Sequence, residues 1–195
     1  MNIFNNVALK PQDVLLGLKL LTREKQKSLD RPMTELSLSI GLSVGEGHNA
    51  GQRLKAAGLT YEIRDEVRVN TRRFLDFLVC GVPVVFYAER GEVSRGVPTA
   101  AFGPPLVDKL LIETDDIALV WPSSSGKRKG ETLLPLYPTV VFAAEKDPDL
   151  YELLVLVDAL RVGRARERKM ATDILTKRLG GAKNEILPIS EEKVA

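Results

Sequence analysis

Apolar positions in the first eighty residues recur at helical spacing and then alternate with polar ones. Residues 10–22 are predicted to form a helix with one apolar face. That face collects Val14, Leu15, Leu18 and Leu21. A second, short helix is predicted over residues 35–40, whose apolar positions lie four residues apart. Residues 59–69 (LTYEIRDEVRV) then alternate, which predicts a β-hairpin with its turn at residues 64–66.

The segment Gly41-Leu42-Ser43 predicts a sharp turn between two helices. Glycine adopts the left-handed backbone needed to leave a helix abruptly. Ser43 is followed three residues later by Glu46, which is the pattern of a capping box and predicts a new helix starting at Val44. That helix is predicted to run to residue 57 and to stop at Gly58. A helix, a glycine turn and a capped helix are together typical of a helix-turn-helix.

Residues 33–54 (MTELSLSIGLSVGEGHNAGQRL) resemble the helix-turn-helix of bacterial winged-helix transcriptional regulators of the MarR-like kind. The resemblance covers about residues 10–80. It implies that residues 44–57 form the recognition helix and that residues 59–69 form the wing.

Three glycines depart from that family pattern: Gly45, Gly47 and Gly51. Each costs about 1 kcal/mol relative to alanine inside a helix. Position 47 is where the family has an aliphatic core residue, so its loss is expected to weaken the packing of the recognition helix against Leu36 and Ile40.

In such a fold the recognition helix enters the major groove of DNA. Helical spacing places His48 and Gln52 on one stripe, with Asn49 and Arg53 beside it. Asparagine and glutamine can pair with adenine, and arginine with guanine. Ser43, at the helix N-terminus, and Lys55 are candidates for phosphate contacts. Glu46 is expected either to cap the helix or to contact a cytosine amine.

The predicted wing and the helix after it supply further cations. Arg64 and Arg68 lie on the hairpin. Asn70 is predicted to N-cap a helix over residues 71–79, whose first turn holds Arg72 and Arg73, where the helix dipole disfavours cations. A phosphate partner or a nearby acid would explain that placement. The candidate DNA-binding residues are therefore Ser43, His48, Asn49, Gln52, Arg53, Lys55, Arg64, Arg68, Arg72 and Arg73.

Residues 81–145 give a weaker pattern. The run 82–87 is predicted to be a strand that returns through 93–97 as a second hairpin. That hairpin is alternatively the true wing, with Arg90 and Arg95 as its backbone contacts. Residues 117–121 predict another strand. The following loop, residues 123–130, includes the basic triplet Lys127, Arg128 and Lys129, and residues 133–142 are expected to be buried but irregular.

Asp147 and Pro148 supply an N-cap and a first-turn proline for a strong amphipathic helix. Gly163 is expected to end it, and a second helix is predicted over residues 164–179. Two such helices indicate either dimerisation, since a two-fold protein matches palindromic half-sites, or packing within the chain's own core. The tail from residue 182 is expected to be disordered.

Composition narrows the possible chemistry. One cysteine, Cys80, and one histidine exclude an intrachain disulfide and a zinc finger, and no G-x-S-x-G motif is present. No metal or cofactor is expected. Net charge is only +2, but five cations and one acid lie in residues 161–169. No apolar run is long enough to cross a membrane and no signal peptide is evident at the N-terminus, so a cytoplasmic location is expected.

These observations predict an α+β protein with an N-terminal winged helix-turn-helix over residues 1–80. A small β-containing region (81–145), C-terminal helices (146–181) and a flexible tail (182–195) follow. The leading hypothesis is a non-enzymatic regulator, a repressor in the first instance, that binds double-stranded DNA as a homodimer. The alternative is a winged-helix interaction module, an adaptor or antitoxin-like partner of another protein. An enzyme with carboxylates in residues 81–145 is a third, less supported hypothesis.

Overall fold

The computed structural model describes residues 8–27, 31–110 and 116–180, and the predicted tail lies outside them. The first part of the chain contains four helices and one hairpin, in the predicted order. These elements are α1 (Pro11–Lys25), α2 (Met33–Ser39), α3 (Val44–Ala56), β1 (Thr60–Ile63), β2 (Glu66–Val69) and α4 (Thr71–Asp76). The predicted first helix is confirmed, and it begins one residue later and ends three residues later than expected.

The predicted hairpin over residues 82–97 is wrong. After α4 the chain makes a π-helical turn (Phe77–Gly81) and then a short helix, α5 (Val82–Val85). Only the return segment is a strand, β3 (Arg90–Pro98). A run of β-branched residues favours a strand only where neighbouring strands are available to pair and pack with it. Here Val82 is instead fully buried in the core as part of a helical continuation of α4.

Three strands form a small sheet that closes on itself. After a 3₁₀ turn (Ala100–Phe102), the remaining strands are β4 (Leu119–Pro122) and β5 (Arg128–Leu133). Strand β3 pairs antiparallel with both β4 and β5, and β4 pairs in parallel with β5. A Cβ atom at Gly96 would overlap the Trp121 carbonyl, so glycine allows the close approach of strands that closure requires.

Three helices complete the described chain: α6 (Val140–Lys146), α7 (Pro148–Val162) and α8 (Ala165–Gly180). Helix α6 corrects the expectation of irregular structure at residues 140–142. The Asp147 cap is confirmed, because its carboxylate accepts a hydrogen bond from the Leu150 amide at 3.1 Å. Helix α7 packs against α1, α5, α6 and α8. Its apolar stripe is thus buried within the chain itself.

One hydrophobic core cluster contains side chains from α1, α3, α4, β4, α7 and α8. Asp158 on α7 lies inside it, accepting hydrogen bonds from Thr99, Trp121 and Arg161. Burial raises the pKa of Asp158, although these partners and the Arg161 charge oppose that shift. The protein is of mixed α+β class, and α1 to α4 share their core with the sheet and the C-terminal helices.

Candidate nucleic-acid interface

The turn between α2 and α3 has the predicted chemistry. Gly41 adopts a φ of +74°, and Leu42 after it is buried. The Ser37 carbonyl, at the end of α2, accepts hydrogen bonds from the Leu42 amide at 2.9 Å and the Ile40 amide at 3.2 Å. The Ser43 hydroxyl accepts from the Glu46 amide at 3.2 Å, so Ser43 is the N-cap of α3. The exit from α3 is also as predicted, with Gly58 at a φ of +67°.

The expectation that Gly47 weakens the packing of α3 is wrong. Gly47 is buried, and a Cβ atom there would overlap the Ser37 hydroxyl and Cβ on α2. Glycine therefore allows α2 and α3 to approach more closely than any larger residue would. Gly45 and Gly51 differ, because a Cβ atom at either would meet nothing within 4 Å.

Arg53 is not available to DNA, which corrects its predicted role. It is 6% exposed, and its Nε and Nη2 donate to the two carboxylate oxygens of Asp13 on α1 at 2.8 and 2.6 Å. Nη2 also donates to Glu46 at 2.6 Å, and Gln12 donates to the same Glu46 oxygen at 3.0 Å. These bonds lower the pKa of Glu46, and the bond to Asp13 raises the pKa of Arg53. Glu46 thus holds Arg53, rather than capping α3 or facing a base.

With that side of α3 fixed, its opposite side faces solvent. The exposed stripe consists of Gly45, His48, Asn49 and Gln52. Within the described part of the chain, no hydrogen bond or ion pair engages the side chains of His48, Asn49 or Gln52. Lys55, at the end of the stripe, is exposed but donates to Glu62 of β1 at 2.8 Å. The stripe is therefore polar, and none of the described residues covers it.

The β1–β2 hairpin lies beside α3. Its turn residues Arg64 and Asp65 have φ values of +51° and +63°, and the Arg64 side chain is exposed at the tip. Arg68 forms an ion pair with Glu66 at 2.6 Å. Helix α1 holds the hairpin, because Arg23 donates to the Val67 carbonyl and Glu24 accepts from the Val69 amide at 2.9 Å.

A groove of about 230 Å³ separates α3 from the hairpin. The predicted residues His48, Gln52 and Lys55 line its α3 side, and Tyr61 lines its hairpin side. The structure therefore brings His48, Gln52 and Lys55 of α3 together with the β1–β2 hairpin, whereas Ser43, Asn49 and Arg64 lie outside the lining of this groove.

Arg72 and Arg73 are exposed in the first turn of α4. The Arg73 guanidinium lies against Gly58, directly after the C-terminus of α3. A helix C-terminus carries partial negative charge, so this contact explains a cation placed against the dipole of its own helix. The predicted phosphate partner is not needed to explain the position of Arg73.

Two residues that support α3 and its turn lie outside the predicted set. Asp13 holds Arg53 from 40 residues away, and the Thr139 hydroxyl donates to the Ile40 carbonyl at 2.7 Å, next to the turn. Neither has a local sequence signal. Asp13 follows the first-turn proline of α1 as an ordinary acid of a helix N-terminus, and Thr139 precedes α6 in a segment without clear periodicity.

Within residues 8–27, 31–110 and 116–180, no helix combines the length and apolar character needed to cross a membrane. The same ranges contain no group of three or more His, Cys, Asp or Glu side chains placed to hold a metal ion. No protein-family model matches the chain, and no significant match is found among curated proteins or solved structures.

Proposed function

We propose that this chain is a transcriptional regulator that binds duplex DNA through a winged helix-turn-helix, with α3 as recognition helix and β1–β2 as wing. The observation that carries the proposal is the division of α3 into two sides. Gly47 and Arg53 hold one side against α2 and α1, and the other side presents Asn49 and Gln52 unpaired to solvent.

The order of elements supports this proposal. A capped second helix after a glycine turn, followed at once by a hairpin, is the arrangement that the resemblance to winged-helix regulators implies. The amide side chains on α3 are of the kind that recognise adenine in the major groove. Ser43 and the amides at the N-terminus of α3 would hold a phosphate. Arg64, exposed at the hairpin tip, would contact the DNA backbone.

The decisive experiment is selection of duplex DNA from a genomic or random pool by the purified protein, followed by a salt titration of the enriched sequence. We expect an enriched motif, and an affinity that falls linearly with salt on logarithmic axes. A palindromic motif together with a dimer in sedimentation analysis would support the proposed homodimer. A pool that stays unenriched, or binding indifferent to salt, would contradict the proposal.

One observation favours the alternative of a protein-interaction module. Two predicted phosphate contacts, Lys55 and Arg68, are neutralised by Glu62 and Glu66, and Leu38 and Val44 are exposed on either side of the turn. Apolar side chains flanked by paired charges are better suited to contact another protein than to contact a phosphate backbone. Co-purification of one stoichiometric protein partner by a preparation that enriches no DNA would favour this alternative.

A further inference from the structure

A second cationic surface lies on the closed sheet, apart from the helix-turn-helix. Residues 90–95 of β3 are exposed on both faces, and Arg128 and Lys129 at the start of β5 are exposed beside them. Among the described residues, no acid forms an ion pair with Arg95, Lys127 or Lys129. We call these three cations the strand-end patch.

Two members of the strand-end patch are directly opposed. Arg95 and Lys129 are antiparallel partners in the β3–β5 register. Cβ atoms of such partners lie about 4.5–5.5 Å apart, and like charges in this position destabilise the sheet. An anion placed between them would remove that repulsion. The strand register thus holds two positive charges together, and no acid of the described residues forms an ion pair with either.

Neighbouring residues fix the geometry of the patch. The guanidinium of Arg128, between Lys127 and Lys129, lies 5.5 Å from the centre of the Phe102 ring. A Cβ atom at Gly126 would overlap the backbone of Gly96, so the chain enters β5 in close contact with β3. Arg95 and Lys129 therefore lie on two strands, β3 and β5, that are held close together. Lys127 lies directly before β5.

Helix α6 connects the patch to the helix-turn-helix. Thr139 donates to the Ile40 carbonyl, and the Phe142 ring lies against Gly41 at the turn. Three residues later, Glu145 accepts a hydrogen bond from Ser125, in the loop that leads to Lys127. Residues three apart share a helix face, so Phe142 and Glu145 contact the turn and the loop from one face of α6, with about 4.5 Å of helix rise between them.

We propose that the strand-end patch is a second contact surface for the sugar-phosphate backbone of duplex DNA, extending the footprint beyond α3. This inference rests on the proposed function. Three unpaired cations, two of them held face to face, complement a polymer that carries one negative charge per about 1.7 Å of duplex axis. Contacts to the sugar-phosphate backbone carry no sequence information, so the patch would add affinity without sequence preference.

The test compares the full-length protein with the variant Arg95→Gln/Lys127→Gln/Lys129→Gln. A matched control removes three exposed cations elsewhere that form no ion pair with any described residue, Lys109→Gln/Arg168→Gln/Lys177→Gln. Binding is measured to an enriched duplex and to a scrambled duplex over roughly 50 to 200 mM salt. We expect the salt slope of the patch variant to become shallower by about 0.9 per lost phosphate contact on both duplexes. The control should keep the slope of the wild type.

Each other result has a definite meaning. An unchanged salt slope in the patch variant, or an equal change in the control, would overturn the proposal that the strand-end patch contacts DNA. The proposal that α3 binds DNA would be unaffected. If the wild type binds both duplexes alike and only the patch variant has a shallower slope, the patch stands and sequence-specific recognition by α3 fails. If the wild type binds neither duplex at low salt, both proposals fail.

Discussion

Lys19 and Asp147 form a buried salt bridge of 2.7 Å that joins α1 to the first turn of α7 across 128 residues of chain. Asp147 also accepts hydrogen bonds from Thr22 and from the Leu150 amide. One carboxylate therefore caps α7 and binds it to the first helix. The N-terminal helices and the C-terminal helices should consequently unfold together.

This ion pair predicts a specific pH dependence of stability. Burial alone would raise the pKa of Asp147, but the hydrogen bonds from Lys19, Leu150 and Thr22, with the Lys19 charge, hold it below its usual value. A carboxyl group whose pKa is lower in the folded state contributes to the free energy of unfolding. That contribution is complete above the unfolded-state pKa of about 3.9 and is lost as pH falls through the folded-state pKa. We expect the Asp147→Asn variant to be less stable at pH 7 and to lose less stability on acidification.

Urea unfolding from pH 7 down to about pH 2 measures this difference. Lys19→Met is the matched variant. It leaves a buried carboxylate without its cation, so the pKa of Asp147 should rise and acidification should recover part of the lost stability. Parallel pH curves for the wild type and Asp147→Asn would contradict the assignment.

The pair between Arg53 and Asp13 predicts a large loss of stability when one partner is removed. Asp13→Asn leaves the buried guanidinium without its main counter-charge, and breaking such a pair costs about 3–5 kcal/mol. The double variant Asp13→Leu/Arg53→Met removes both charges and should lose less, since no buried charge is left unpaired. Denaturant titration would compare the two. A single variant as stable as the wild type would show that the pair does not hold α3.

The three glycines of α3 should respond differently to alanine. Gly47→Ala forces a Cβ atom into Ser37 and should destabilise the protein by about 1–3 kcal/mol. Gly45→Ala and Gly51→Ala face open space and should each stabilise it by up to about 1 kcal/mol. Thermal unfolding of the three variants checks this order. Adding Ser37→Gly to Gly47→Ala should recover stability, and its failure to do so would place the strain elsewhere.

Features set by neighbouring residues could be predicted from sequence. The Ser43 cap, the left-handed glycines at positions 41 and 58, and the Asp147 cap each depend on atoms within a few residues. Local chemistry decides such features before any tertiary contact forms.

Features set by distant partners could not be predicted in this way. The role of Arg53 depends on Asp13, 40 residues away, and the role of Gly47 depends on how closely α2 approaches. The run at residues 82–85 has strand-like composition, but the continuation of α4 buries Val82 as part of a helix. Tertiary packing overrides local preference at these positions.

The final prediction concerns the separate contributions of α3 and the hairpin to the proposed DNA binding. Asn49→Ala and Gln52→Ala should each weaken binding to an enriched duplex by about 1–3 kcal/mol while leaving a scrambled duplex unaffected, because amide contacts to bases carry sequence information. Arg64→Ala should weaken binding to both duplexes alike, since a contact to the DNA backbone carries no sequence information. All three side chains are exposed, so stability should stay within about 0.5 kcal/mol of the wild type. Fluorescence anisotropy on the two duplexes separates these effects. Equal losses on both duplexes for Asn49→Ala and Gln52→Ala would mean that α3 lies on DNA without reading its sequence.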